Sequence, residues 1–125
     1  MALVDFVTPL VSEEKGDAFY GFIFGKVPDL KKFFSLTDFK AQGLKTMAAV
    51  KEAASKMGDD AAFKGFMADL MSKHQKQKAD GLTCAHFAAF FDLFGEWSGA
   101  NADQKAGLKA LSDKFCAEAK ALGFP

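Results

Sequence analysis

The sequence predicts an all-α protein. Apolar residues recur at helical spacing through each long segment. Capping residues and glycines bracket those segments, and no stretch alternates apolar and polar residues as a half-buried strand does. The 125 residues are expected to form one domain, residues 1–125. Folding of a chain this size buries about two thirds of its unfolded surface. Half of the residues are hydrophobic and 15 are Phe. That supply of rings suits either a tight helical core or a core built around something broad and flat.

Residues 1–7 are expected to form at most a short leading helix. The first long helix is expected from Thr8-Pro9 to Gly25 or Lys26, since Thr caps and Pro is tolerated at the first helical position. Phe19, Tyr20, Phe22, Ile23 and Phe24 make its second half apolar nearly all round. Pro28 opens a short helical turn ending at Phe33-Phe34. A long helix follows from about Asp38 to Met57, with Ser35 or Thr37 as its cap and Gly58 in the usual terminating role. Phe39, Val50, Ala53, Ala54 and Met57 mark its apolar face, from which the uncharged polar residues Gln42 and Thr46 also project.

The next helix holds the stretch around which the chain is organised. At about 100° per residue, Phe63, Met67, Leu70, Met71 and His74 share one stripe. A histidine on an apolar face needs a partner, because burying it unsatisfied costs a few kcal/mol. Ala79-Asp-Gly-Leu82 ends this helix. Thr83 caps another, running to Trp97 with Phe87, Phe90, Phe91 and Phe94 on one face. His86 reads as a surface or capping residue. Asn101-Ala-Asp-Gln104 has the form of a capping box and opens the last helix, with Leu108, Leu111, Phe115, Ala119 and Leu122 in register and a stop at Gly123.

Several chemistries are excluded or disfavoured. Net charge is zero, from 16 basic and 16 acidic residues, and no basic stripe is interleaved with aromatics, so nucleic acid is not an expected partner. No apolar run approaches the roughly 18 residues of a membrane span. The N-terminal stretch lacks a basic region and carries Asp5, so it does not read as a signal peptide. Cys84 and Cys116 have no metal-type spacing. Reduced thiols in a cytoplasmic protein are the expectation, and the sequence leaves a disulfide between them open. There is no phosphate-binding Gly-rich loop, calcium loop, Glu-x-x-His, His-x-x-x-His or Cys-x-x-Cys.

Taken together, the residues from about Tyr20 to Gly123 resemble a globin. Tyr20, Phe24, Pro28 and Phe34 have the spacing of the segment from helix B through helix C. Gln42-Gly43 stands where many globins have His-Gly on helix E, and Thr46 takes the place of a small apolar residue. Leu70-Met-Ser-Lys-His74 matches the helix F pattern that ends on the iron-binding His. His86-Phe87 and the run from Asp103 to Phe115 resemble helices G and H. The front is several residues short, which implies a globin fold with helix A abbreviated or missing. The combination of Tyr20, Gln42 and Thr46 with that short front is similar to the neural mini-haemoglobins of nemertean worms. Nematode haemoglobins share the Tyr and the Gln.

The resemblance implies haem b (iron protoporphyrin IX) as cofactor and His74 as its proximal iron ligand, with the second ring nitrogen held by a backbone carbonyl near Leu70. It implies dioxygen as the ligand, and also carbon monoxide and nitric oxide. Tyr20 and Gln42 are the candidate donors to it, each contributing about 1–1.5 kcal/mol, so together roughly ten- to a hundredfold in affinity. Thr46 either accepts the Tyr20 proton, and so opposes that gain, or bonds back to its own helix. Phe24, Phe34, Leu70, Leu82, Phe87, Phe90 and Phe115 would wall the haem, and Lys45 and Lys78 would reach its propionates. The expected activity is reversible oxygen binding for storage or transport, without catalysis, in a cytoplasmic monomer or weak homo-oligomer. The competing readings are a peroxidase or nitric oxide dioxygenase on the same scaffold, which Gln42 serves poorly because an amide is no acid–base, and a haem-free helical interaction module.

Overall fold

Capping chemistry sets most of the helix boundaries in the computed structural model, which describes residues 2–34 and 38–125. Among these, every regular element is helical. Helix α1 is Leu3–Val7, and Thr8–Leu10 is a single 3-10 turn. The long helix expected from Thr8-Pro9 begins only at Glu13: α2 is Glu13–Lys26. The Ser12 hydroxyl accepts from Lys15 N–H at 3.0 Å, and Glu13 and Glu14 suit the positive end of the helix dipole. That start outcompetes Thr8-Pro9, after which Val11 leaves helical geometry.

A 3-10 turn at Pro28–Phe33 follows, as expected. Helix α3 is Phe39–Lys56. Its cap is Asp38, whose carboxylate accepts from Lys40 and Ala41 N–H at 3.0 and 3.2 Å. The expected caps, Ser35 and Thr37, lie outside the described residues. Gly58 follows α3 without the left-handed backbone expected of it; positive φ occurs instead at Gly81, Gly99 and Gly123. Asp59 directly caps the next helix, accepting from Ala62 N–H at 3.2 Å.

The expected continuous helix through His74 is two helices, α4 (Asp60–Ser72) and α5 (Gln75–Ala79), with Lys73 and His74 between them. Helix α6 is Cys84–Trp97 and α7 is Ala102–Ala121. Both start on reciprocal caps: Thr83 with His86, and Asn101 with Gln104.

Helix α2 packs chiefly on α3, and α6 on α7. Phe19, Ile23, Met47, Phe63, Met67, Met71, Phe94 and Leu111 are fully buried where the layers meet. Leu122, expected in the core, is exposed. Gly123, at φ 96°, turns the chain back, so Phe124 takes the buried place and its ring packs on Phe87 at 5.7 Å. Lys114 ties α7 to the α3–α4 corner through Met57 O at 2.7 Å and Asp60 Oδ1 at 2.6 Å.

Candidate functional site

The break after Ser72 organises the surroundings of His74. A helix end leaves its last carbonyls short of the regular backbone donors, and here side chains add to the backbone bonds that remain. Ser72 Oγ donates to Asp69 O at 2.6 Å, and Gln75 Nε2 donates to Met71 O at 3.0 Å. His74 N–H turns to Met71 O at 3.1 Å instead of Leu70 O. Leu70 O, which also accepts from Lys73 N–H at 3.1 Å, takes the ring as a second donor: His74 Nδ1 lies 2.7 Å from it. A carbonyl only accepts, so Nδ1 carries the proton and the Nε2 lone pair is left for another partner. The backbone carbonyl expected from the sequence is the one found.

The second polar group depends on contact between helices. Gly16 on α2 and Gly43 on α3 meet backbone to backbone; a Cβ on Gly16 would stand 2.2 Å from the Gly43 carbonyl carbon. This approach brings Tyr20, one turn after Gly16, against Thr46, one turn after Gly43. Their hydroxyls lie 2.5 Å apart, so Thr46 spends its hydroxyl on Tyr20. Burial pushes the Tyr20 phenol above its ordinary pKa, while Thr46, and more weakly Gln42, favour its ionised form. Gln42 and Thr46 are both half-buried on α3.

Aromatic rings pack around the Tyr20 ring. Phe24 stacks on the Tyr20 ring at 5.6 Å, and Phe34 meets it edge-on at 5.0 Å. Phe39, placed by its spacing on the apolar face of α3 but not in the site, joins the same cluster at 5.6 Å. The glycine pair is the other part of the site that sequence reasoning missed. Glycine inside two helix patterns, away from either end, was the available signal.

The wall residues fall into two groups. Phe24, Phe34, Leu70, Phe87 and Phe90 keep partial exposure, whereas Leu82 and Phe115 are buried. Phe87 packs on Phe115 at 5.0 Å, and Phe90 packs on Phe19 at 5.2 Å. Lys45 is exposed. Lys78 has its ammonium 5.7 Å above the Phe124 ring. Among the described residues no group of three His, Cys, Asp or Glu side chains is placed to hold a metal ion. The residues fit the cofactor that the resemblance implies. His74 offers one unprotonated nitrogen, the aromatic rings of the wall are only half-buried, and Gln77, three residues on, has a buried side-chain oxygen with no partner among the described residues.

Comparison with known proteins agrees with this geometry. The globin family model matches residues 17–120. The chain is 32% identical over 125 residues to the cuticular isoform of globin from Nippostrongylus brasiliensis, covering 86% of this chain and 70% of that protein. It is 28% identical over 120 residues to a globin-like protein of Caenorhabditis elegans, covering 86% and 76%. The high-resolution structure of the C. elegans globin-like protein GLB-1 superposes with a TM-score of 0.82 at 26% identity, over 98% of this chain and 95% of that one. These relatives are nematode proteins; no nemertean mini-haemoglobin, the expected likeness, is among them. With a model match across most of its length and a solved relative of the same helical fold, the chain belongs to the globin family, whose cofactor is haem.

Proposed function

We propose that this globin holds haem b through His74 Nε2 and binds dioxygen reversibly for storage or transport, as a cytoplasmic protein of one globin unit without catalytic turnover. One observation carries the reading: the Leu70 carbonyl bond fixes the proton on His74 Nδ1, leaving Nε2 unprotonated. Haem bound there supplies ferrous iron that takes small diatomic ligands reversibly. Phe24, Phe34, Phe87, Phe90 and Leu70 offer the apolar, partly uncovered surface that such a flat group would close. Leu82 and Phe115 back that wall, and Lys45, beside Thr46, and Lys78, four residues after His74, would reach the propionates.

Gln42, and Tyr20 where its hydroxyl is released from Thr46, would be the donors available to a small diatomic ligand. The Tyr20–Thr46 hydrogen bond supports a distal arrangement of the nemertean mini-haemoglobin type, in which the threonine draws the tyrosine proton away and moderates affinity. Gln42 has no group that exchanges protons near neutral pH, which favours binding over peroxide cleavage. No helix among the described residues is long and apolar enough to cross a membrane.

The test is the absorption spectrum of the purified protein, oxidised, reduced and under air, beside His74→Ala. A strong Soret band with a stable oxygenated form, lost or badly disturbed in the variant, is the expected result. A colourless protein that refuses added haem would overturn the reading, and peroxide turnover well above that of free haem would replace it with an enzyme.

A further inference from the structure

The two cysteines face each other where α6 meets α7. Cys84 is the first residue of α6, and Cys116 lies in the second half of α7. Each thiol reaches across to the other's backbone: Cys84 Sγ lies 3.6 Å from Cys116 O, and Cys116 Sγ lies 3.4 Å from Cys84 O. Both residues line an open cavity of about 580 Å³, with Thr83, Ser112, Lys120 and Pro125 at its rim. Cys84 is 5% exposed, whereas Cys116 is half-buried. Cys116 is therefore the more accessible residue of the two, although burial raises its thiol pKa.

We infer that Cys84 and Cys116 form a redox-modified dithiol, with Cys116 as the attacking thiol, Cys84 as the resolving thiol, and a low-molecular-weight disulfide such as oxidised glutathione as the oxidant. The inference does not depend on haem. The Cys116 thiolate attacks one sulfur of the small disulfide, forming a mixed disulfide and releasing one small thiolate. Cys84, having lost its proton to solvent, then attacks the Cys116 sulfur and expels the second small thiolate. Two protein thiols are oxidised, one small disulfide is reduced to two thiols, and the protons released by the cysteines end on those products. The carbonyl contacts hold each sulfur beside the other residue, so the second step needs side-chain rotation at the helix pair and no second molecule.

The cross-link would tie the start of α6 to α7 and to the chain end, because Cys84 N–H already donates to Pro125 O at 2.9 Å. It would also sit beside the aromatic wall, since Phe115 adjoins Cys116 and packs on Phe87.

The experiment incubates the intact protein, as purified, in oxidised glutathione. Alkylation and peptide mass spectrometry then follow the thiols. The expected product is a monomer lighter by two hydrogens, with a linked Cys84–Cys116 peptide, reversed by dithiothreitol. In Cys84→Ser the mixed disulfide at Cys116 should persist, and Cys116→Ser should react far more slowly than wild type. A wild-type protein that stops at the stable mixed disulfide, with Cys84 still alkylated, would overturn the proposal. So would disulfide-linked dimers, or a folded protein inert under conditions that oxidise the unfolded chain.

Discussion

Adding one methyl group at Gly43 tests whether the α2–α3 crossing holds the distal pair together. The Cβ of Gly43→Ala would stand 2.5 Å from the Gly16 carbonyl carbon, against an ordinary contact of at least 3.4 Å, a shortfall of about 0.9 Å. The opposing atoms are backbone, so no side chain can swing clear, and the helices must part. If the whole displacement reaches the Tyr20–Thr46 pair, the 2.5 Å contact opens to about 3.4 Å, the edge of hydrogen bonding. Overpacking costs about 1–3 kcal/mol and the weakened bond about 1 kcal/mol more, together about 2–4 kcal/mol. Unfolding entropy for a chain this long is about 0.26 kcal/mol/K, so Tm should fall by about 8–15 °C. Gly21→Ala is the control: it lies on α2 with nothing within 4 Å, and should hold or raise Tm, since alanine is the better helix former by about 1 kcal/mol. Thermal melts followed by circular dichroism decide the matter. Gly43→Ala melting with the control would refute the claim that this crossing is closed.

Other outcomes follow from the same contacts. Thr46→Val should free the Tyr20 hydroxyl and raise oxygen affinity about tenfold, with Tyr20→Phe reversing the gain in the double variant but changing little alone; ligand dissociation rates measure both. Tyr20 is the sole tyrosine, so phenolate absorbance reports it directly. Burial holds its pKa above the ordinary value. The folded state therefore keeps a proton that the unfolded chain loses near pH 10, so stability should decline as pH rises beyond that point. Lys114, through its hydrogen bond and its charge, holds the Asp60 carboxyl below the usual range. In Lys114→Met, carboxyl chemical shifts should return Asp60 to that range, and the contribution of the wild-type pair should vanish only as pH falls through the depressed Asp60 value.

Much of the fold was legible because local chemistry decides it. Pro28 and the Asn101–Gln104 box produce the elements expected of them. The start of α2 was misjudged because two N-terminal signals compete within five residues, and the serine followed by two glutamates prevails. The break at Lys73 and His74 left no trace in the apolar spacing, since α5 resumes the helix immediately and His74 stays near the stripe. The site was legible in part. Periodicity put Gln42 and Thr46 on one face and His74 on another, but nothing local joins Tyr20 to Thr46, 26 residues apart. That contact follows from two glycines whose value lies in a neighbour the sequence does not show, and only the family resemblance grouped the three polar residues.

The two polar poles are therefore held by different means. In an unbroken helix the His74 backbone N–H would take the Leu70 carbonyl; here that N–H goes to Met71 O instead. With α4 ending at Ser72, the Leu70 carbonyl accepts from Lys73 N–H and from Nδ1 together, so the tautomer of His74 is set within five residues of chain. Tyr20 has no such local partner, and its orientation depends on how closely α2 and α3 approach. Substitutions at Gly16 or Gly43 should then alter the Tyr20 titration and the ligand rates while leaving the His74–Leu70 bond intact. Substitutions at Ser72 or Gln75, which satisfy the neighbouring carbonyls, should do the reverse. If both sets moved both poles together, the separation argued from these hydrogen bonds would be wrong, and the two sides of the site would be coupled through the packing of the whole bundle.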